Sequence, residues 1–242
     1  KLNCDKVATG HYAKIIKKND KYELHKADYL DKDQSYVLHM LQSSDLENIT
    51  FPLGEISKPE VRQIAARIGL RTAFKKDSQD ICFVGKKDYR SFVEKRIDLT
   101  SPGEIFDTKG NKVGDHNGIH EFTVGQRKGL PGGYGTPRYV TKINVQNKNV
   151  TIGEKNDLLV SSFIIEELSC INDIEYKNLT IQTRYNSEDL PCEIKKLSDT
   201  EILVQLKEPA FSVAPGQFGV IYNGTKVVCG GRISPKVLEN VG

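Results

Sequence analysis

"ISKPEVRQIAARIGL", residues Ile56–Leu70, is the most regular stretch of the chain and determines how its first third is interpreted. Ser57 and Glu60 have the spacing of a capping box, and Pro59 suits a first helical turn. Gly69 is a typical helix stop. Between these signals, one apolar stripe recurs at helical spacing: Val61, Ile64, Ala65 and Ile68. The stretch therefore predicts an amphipathic helix.

The segments on either side of this helix predict an α/β arrangement. Upstream, "KVATG" (Lys6–Gly10) is typical of a strand, and "DKDQSYVLHMLQSSDLENI" (Asp31–Ile49) predicts a second helix that Asp33 would cap. Downstream, "DICFV" (Asp80–Val84) predicts a short apolar strand. We interpret residues 1–90 as the rear part of an α/β sheet domain.

From about Ser101 the chain changes character. Glycines and turn pairs alternate with short β runs at Glu104–Asp107, Tyr139–Asn144 and Asn149–Gly153, which predicts a small β-rich domain over residues 91–157. From residue 158 to 242, strand signals follow one another at short, even spacing. That spacing favours an antiparallel β-barrel, closed or nearly closed.

Composition excludes several classes of protein. The 242 residues are 38% hydrophobic and 28% charged, which fits a globular chain rather than a disordered one. No apolar run reaches the roughly 18 residues that a membrane-spanning helix needs, so no membrane partner is expected. The five cysteines form no CxxC pair, which argues against a zinc site and favours the reducing cytoplasm. The formal net charge of +3 does not by itself indicate nucleic acid, although separate lysine pairs could contact phosphates.

"KKDSQDICFVGKK", residues Lys75–Lys87, contains one cysteine, Cys82, between two basic pairs. A nucleophilic cysteine needs a stabilised thiolate and access to substrate. The lysines favour ionisation, but Asp77 and Asp80 oppose it. From the residues alone, a half-buried strand cysteine and a reactive thiol both remain open.

Five segments in this order decide between them: "ATGHYA", "KDQSYVLHML", "FPLGEISKPEVRQIAARIGL", "KDSQDICFV" and "GIHEFTVGQRKGL". Together they resemble the tRNA-specific 2-thiouridylases, and the similarity continues to "APGQFGVIYNG" and "CGGRIS" near the end. The helix motif alone is weakly specific, because similar helices recur in other ATP pyrophosphatases. "DSQDICF" followed by "FTVGQRKGL" is highly specific.

This resemblance implies a Rossmann-like ATP-pyrophosphatase domain, a small central domain and a C-terminal β-barrel. It implies an enzyme that uses ATP with Mg²⁺ to adenylate the wobble uridine of tRNA and then transfers sulfur from a cysteine persulfide. Cys82 occupies the position of the persulfide cysteine, which forms a disulfide with a second cysteine during turnover. The implied partners are glutamate, glutamine and lysine tRNAs and a protein that donates persulfide sulfur; no tightly bound metal is expected.

The resemblance also implies contacts in the first third of the chain. Gly10 matches a glycine whose backbone approaches ATP, although a simple strand-end turn would also explain it. Lys32, Asp33 and Gln34 match a segment that contacts tRNA. A helix cap with solvated neighbours is the structural alternative for these three residues.

In the barrel, Arg184 and Tyr185 match a second tRNA contact. A guanidinium beside a phenol suits a backbone phosphate and a stacked base. Without the resemblance, this pair would be read as ordinary surface residues.

One departure from the family is large. The sequence has no SGGxDSS-type phosphate loop and no upstream cysteine in an Asp-x-x-Cys setting. We therefore interpret the chain as a fragment that cannot release AMP from ATP alone. The alternative is a stand-alone RNA-binding β module with an inactive remnant of a catalytic domain.

Overall fold

The computed structural model describes residues 4–75, 101–133, 135–171, 176–211 and 213–240. Residues 237–240 are described as backbone only. Cys82 and the predicted strand Asp80–Val84 lie outside the described residues. The chain divides into two compact units. The first comprises Lys1–Lys75, Ser161–Pro209 and Pro215–Glu239, and the second comprises Lys76–Val160, Ala210–Ala214 and Asn240–Gly242.

A closed six-stranded barrel forms the centre of the first unit. Its strands, in chain order, are β9 (Leu159–Cys170), β10 (Leu179–Gln182), β11 (Leu190–Lys196), β12 (Ile202–Phe211), β13 (Phe218–Asn223) and β14 (Lys226–Asn240). They neighbour one another in the order β13-β10-β11-β12-β9-β14, and pairing of β13 with β14 closes the ring. The prediction of a C-terminal barrel is thereby confirmed.

Alternation of side chains explains the barrel interior. In β12, Ile202, Val204 and Leu206 are buried, whereas Gln205 between them is exposed. Gly219 in β13 has a packing reason, since an added Cβ would lie 2.7 Å from Cδ1 of Ile165. The interior is thus filled by aliphatic side chains in close contact.

A hairpin from the start of the chain extends the barrel sheet. Strand β2 (Ala13–Lys18) pairs antiparallel with β3 (Lys21–Lys26), and β3 pairs with β14 where His25 meets Lys226. The turn residues Asn19 and Asp20 have φ values of 48° and 59°, as a tight two-residue hairpin requires. The hairpin and its neighbours share one core with the barrel: Ala13, Leu24, Tyr36, Leu46, Ile171, Val220, Tyr222 and Val227.

The predicted amphipathic helix is present as α2 (Lys58–Arg67). The Ser57 side chain accepts a hydrogen bond from the Glu60 amide, and the Glu60 carboxylate accepts one from the Ser57 amide. Gly69 follows with a φ of 75°. The apolar stripe is not buried in this chain, because Ile64 and Ile68 are 38% and 67% exposed.

The second predicted helix, Asp31–Ile49, is wrong. Its residues form 3₁₀ turns at Leu30–Lys32 and Ser35–Leu38, a short helix α1 (Ser43–Leu46), and the start of strand β4 (Ile49–Thr50). Strand β4 pairs in parallel with β1 (Val7–Ala8). This two-stranded pair is the parallel sheet of the described α/β part.

Long-range contacts explain why this segment is not one helix. The Tyr36 hydroxyl donates to the carbonyl oxygen of Phe218 at 2.7 Å. The His39 ring packs 4.8 Å from the Phe218 ring, centroid to centroid. These contacts of Tyr36 and His39 with Phe218 of the barrel override the local helical preference of the segment.

The second unit contains a four-stranded sheet in the order β6-β5-β8-β7, formed by β5 (Gly103–Asp107), β6 (Lys112–His116), β7 (Tyr139–Asn144) and β8 (Asn149–Gly153). Strands β5 and β8 are parallel, and the other two pairings are antiparallel. Its core consists of Ile105, Ile119, Phe122, Val140, Val150 and Ile152. The predicted β-rich central part is confirmed, with β6 as a strand that the sequence reading did not identify.

Candidate nucleic-acid interface

A cavity of about 480 Å³ opens in the first unit, between the segment after β3 and the turn after β10. It is lined by Lys26, Leu30, Asp31, Asp33, Tyr36, Gln182, Tyr185, Asn186, Ser187 and Asp189. Two of the residues predicted to contact tRNA, Asp33 and Tyr185, line this same cavity although they are far apart in the sequence. The structure therefore brings the two predicted segments to one place.

Two tyrosines form an aromatic wall of the cavity. The Tyr185 ring is tilted by 54° against the Tyr36 ring, with 6.2 Å between centroids. Burial raises the pKa of Tyr36 to about 12, against the opposing charge of Arg184, so Tyr36 stays neutral and keeps its bond to the Phe218 carbonyl. Tyr185 is 45% exposed. A fixed inner ring thus supports an outer ring that can stack on a ligand.

A buried cation lies at the back of the cavity. The Lys26 Nζ donates to both carboxylate oxygens of Asp189, at 2.7 and 2.6 Å, and lies 4.2 Å from the centroid of the Tyr222 ring. Lys26 is only 6% exposed. Because its charge is already balanced by Asp189, Lys26 is better suited to shaping the cavity than to attracting a phosphate.

Asp33 organises the loop around the cavity. Its Oδ1 accepts hydrogen bonds from the amides of Ala27 and Ser35, at 2.8 and 3.3 Å, and its Oδ2 accepts one from the Ser35 hydroxyl at 2.6 Å. The Ser35 hydroxyl is also 3.2 Å from the Tyr222 hydroxyl. Burial raises the pKa of Tyr222. Asp33 is 7% exposed, so its carboxylate positions this loop. Direct contact of Asp33 with tRNA stays a prediction.

The other predicted residues flank these two. Gln34 is anchored to Tyr12, because its Oε1 accepts from the Tyr12 amide at 3.1 Å and its amide donates to the Tyr12 carbonyl at 2.7 Å. Lys32 is half-buried at the end of a 3₁₀ turn. Arg184 is half-buried, and its amide donates to the Ser187 hydroxyl at 3.4 Å. Their contacts with tRNA stay predictions.

Gly10 lies between β1 and β2 and is not among the residues that line the cavity. It is exposed, and an added Cβ would meet only Cδ1 of Leu53, at 3.8 Å. Neither packing nor a left-handed backbone requires glycine at this position. The fold itself therefore gives no reason for a glycine at position 10. The approach of ATP to Gly10 stays a prediction.

Sequence reasoning missed several residues of the cavity: Lys26, Gln182, Asn186, Ser187 and Asp189. A partial signal existed in "RYNSED", Arg184–Asp189, whose turn-forming residues directly follow a strand. Asn186 indeed has a φ of 57°. Polar side chains on a sharp turn after a strand are common positions for ligand contacts. Lys26, in the segment across the cavity, had no such local signature.

The described residues contain no group of three or more His, Cys, Asp or Glu side chains placed to hold a metal ion. Among the helices that the structure describes, none has both the length and the apolar character needed to cross a bilayer.

Three family models match the chain in order. They are described as a tRNA methyl transferase HUP domain (residues 1–86), a tRNA methyl transferase PRC-barrel domain (residues 90–154) and an aminomethyltransferase beta-barrel domain (residues 160–233). The third overlaps the closed barrel seen in the structure.

Similar proteins named tRNA-specific 2-thiouridylase MnmA occur in several bacteria. The one from Lachnoclostridium phytofermentans is 42% identical over 240 residues, covering 96% of this chain and 66% of that protein. The one from Rickettsia prowazekii is 39% identical over 241 residues, covering 98% of this chain and 67% of that protein. This chain thus spans about two thirds of the length of these relatives. At such identity over nearly every residue, the chain belongs to the tRNA-specific 2-thiouridylase family.

Proposed function

We propose that the whole protein replaces O2 of the wobble uridine of tRNA with sulfur. ATP, with Mg²⁺, activates the base by adenylating O2. The outer sulfur of a persulfide on Cys82 then attacks C2, and AMP leaves with the oxygen. The thiol of a second cysteine of the whole protein attacks the Cys82 sulfur, which breaks the persulfide S–S bond, leaves the outer sulfur on the base and closes a disulfide. The single observation that supports the RNA part of this proposal is that Asp33 and Tyr185 line one cavity. They come from two segments, distant in sequence, that the family resemblance predicts to contact tRNA.

The chemistry of the cavity favours a base over a phosphate. Its lining combines an aromatic ring, Tyr185, with the amide side chains of Gln182 and Asn186. Amides read the edges of unstacked bases and aromatic rings stack on their faces. The carboxylate of Asp31 would repel a phosphate inside the cavity, and the positive charge of Lys26 is already balanced by Asp189. We therefore assign phosphate contacts to Lys32 and Arg184, which are sequence neighbours of the cavity-lining residues Asp33 and Tyr185.

The ATP-dependent step is proposed for the whole protein. Pyrophosphate release needs backbone amides of a glycine-rich loop around the phosphates, and residues 1–242 contain no such sequence motif. The cluster "GLPGGYG", Gly129–Gly135, is no substitute, because Pro131 lacks an amide donor. Gly10 would add one backbone contact. We expect no AMP release from ATP by residues 1–242 alone, and AMP release by the complete enzyme.

Cys82→Ser in the complete enzyme tests the sulfur-transfer role. Thiolation of tRNA, followed by the mobility of tRNA on a mercury-containing gel, should be abolished while tRNA binding is kept. Cys4→Ser is the matched control, because Cys4 is an exposed thiol with no predicted role, and it should retain activity. Normal turnover by Cys82→Ser would refute the assignment. RNA binding by a complete protein that forms no AMP would instead support the alternative of an inactive RNA-binding module.

A further inference from the structure

Three reduced cysteines lie in the strands of the barrel, apart from the cavity. Cys170 ends β9 and is half-buried, whereas Cys192 in β11 and Cys229 in β14 are 3% and 0% exposed. None of the three is among the residues that line the cavity, and the proposed function uses none of them.

Cys170 and Cys229 face each other across two neighbouring strands. The Ile171 amide donates to the carbonyl oxygen of Val228 at 3.2 Å, and the backbone of Gly231 lies against the carbonyl of Glu166. Since the residue numbers rise along β9 as they fall along β14, the two strands run in opposite directions. Residues 170 and 229 are therefore opposite one another, next to this hydrogen bond.

This placement suits a disulfide. Residues directly opposite on antiparallel strands have Cα atoms about 4.5–5.5 Å apart, and disulfides span Cα distances of about 4.4–6.8 Å. The two thiols already contact each other through a hydrogen bond. Cys192 is in β11, which does not neighbour β14 in the sheet.

The two sulfurs differ in character. The hydrogen bond from Cys229 is the main cause that lowers the pKa of Cys170, and the nearby charge of Lys196 acts in the same direction against burial. The same hydrogen bond and burial raise the pKa of Cys229. Cys170 is thus the more readily ionised thiol and the more accessible one, which are the properties of an attacking sulfur.

We propose that Cys170 and Cys229 are a reversible oxidation site that forms an intramolecular disulfide when a hydroperoxide reaches the barrel. The Cys170 thiolate attacks the terminal peroxide oxygen and the O–O bond breaks, which leaves a sulfenic acid and releases an alcohol, or water from hydrogen peroxide. The Cys229 sulfur then attacks the sulfenic sulfur, the S–S bond forms, and the hydroxyl leaves as water with the Cys229 proton. Two thiols are oxidised by two electrons and one peroxide is reduced.

Such a disulfide would tie the end of β9 to β14. The next residue, Gly230, lies directly under the His39 ring, since an added Cβ would be 2.5 Å from its Cδ2. The crosslink would therefore stiffen the barrel wall on which the aromatic residues of the 36–39 segment rest. It would also stop oxidation of Cys170 before the irreversible sulfinic stage.

The test uses the full chain with Cys4→Ser and Cys82→Ser, so that only the three barrel cysteines remain. The protein is treated with hydrogen peroxide, alkylated, and digested without reductant for mass spectrometry. We expect a peptide pair joined through Cys170 and Cys229, alkylation of Cys192 alone, and full reversal by dithiothreitol. The oxidised protein should also unfold at a higher temperature than the reduced one.

Two further variants make the result specific. Cys192→Ser should keep the crosslink. Cys229→Ser should lose it, and Cys170 should then carry sulfenic acid detectable with dimedone; Cys170→Ser, at a half-buried position, gives the same loss of crosslink if Cys229→Ser fails to fold. A link from Cys170 to Cys192, only intermolecular links, or complete alkylation of all three thiols after peroxide treatment would overturn the proposal.

Discussion

Tyr185 offers the sharpest test of the RNA-binding surface. Its ring is 45% exposed at the cavity and supported from behind by Tyr36, so Tyr185→Ala removes a stacking platform at little cost to the fold. Stacking of one base on an aromatic ring contributes about 1–3 kcal/mol. The dissociation constant for tRNA should therefore rise by about 5- to 150-fold.

Fluorescence anisotropy with labelled tRNA at one fixed salt concentration measures this change. Tyr185→Phe keeps the ring and should bind almost as tightly as the unmodified chain. Tyr176→Ala is the matched control, because Tyr176 is 55% exposed but does not line the cavity. Equal affinities of Tyr185→Ala and the unmodified chain, with circular dichroism showing that both are folded, would refute base stacking at this ring.

Three further predictions concern binding and stability. Arg184→Ala should weaken tRNA binding by about 1–3 kcal/mol and flatten the steep loss of affinity with salt that phosphate contacts cause; an unchanged salt slope would contradict the phosphate contact. Gly54→Ala should lower the free energy of unfolding by about 1–3 kcal/mol in urea titrations, because the new Cβ would lie 2.1 Å from the Ala13 carbonyl oxygen. In the control, Gly10→Ala should change the free energy of unfolding by less than about 0.5 kcal/mol. Burial lowers the pKa of His39, so the unfolded chain takes up a proton near its ordinary pKa of about 6.5 before the folded protein does. Stability should be full above that pH and fall as the pH drops toward the folded-state value, and His39→Gln should reduce this acid sensitivity; equal slopes for both proteins would show that His39 is not its source.

Helix α2 could be predicted because its determinants are local. Ser57, Glu60 and Gly69 act within a turn of where they stand in the chain, and the structure shows the capping box and the left-handed stop. The barrel strands were predictable for a similar reason. Alternation such as that of Ile202 and Val204 in β12 reports one buried face whatever the neighbouring strand is.

The segment Asp31–Ile49 shows where local reasoning fails. Its apolar residues fit a helix, but Tyr36 and His39 are held by the barrel and Asp33 accepts bonds from the backbone of Ala27 and Ser35. These contacts stabilise separate 3₁₀ turns. No local pattern records a hydrogen bond to a residue as distant as Phe218.

The sequence alone thus determined the family, the amphipathic helix and the two β-rich parts, because each depends on residues close together in the chain or on motifs that it spells out. Only the tertiary structure decided that β13 pairs with β14 to close the barrel, that Asp33 and Tyr185 share a cavity, and that Cys170 meets Cys229. Each of these is a contact between segments that are distant in sequence. Such contacts are selected by the packing of the whole core and by the entropy of closing long loops, and neither leaves a signature in any short stretch of residues.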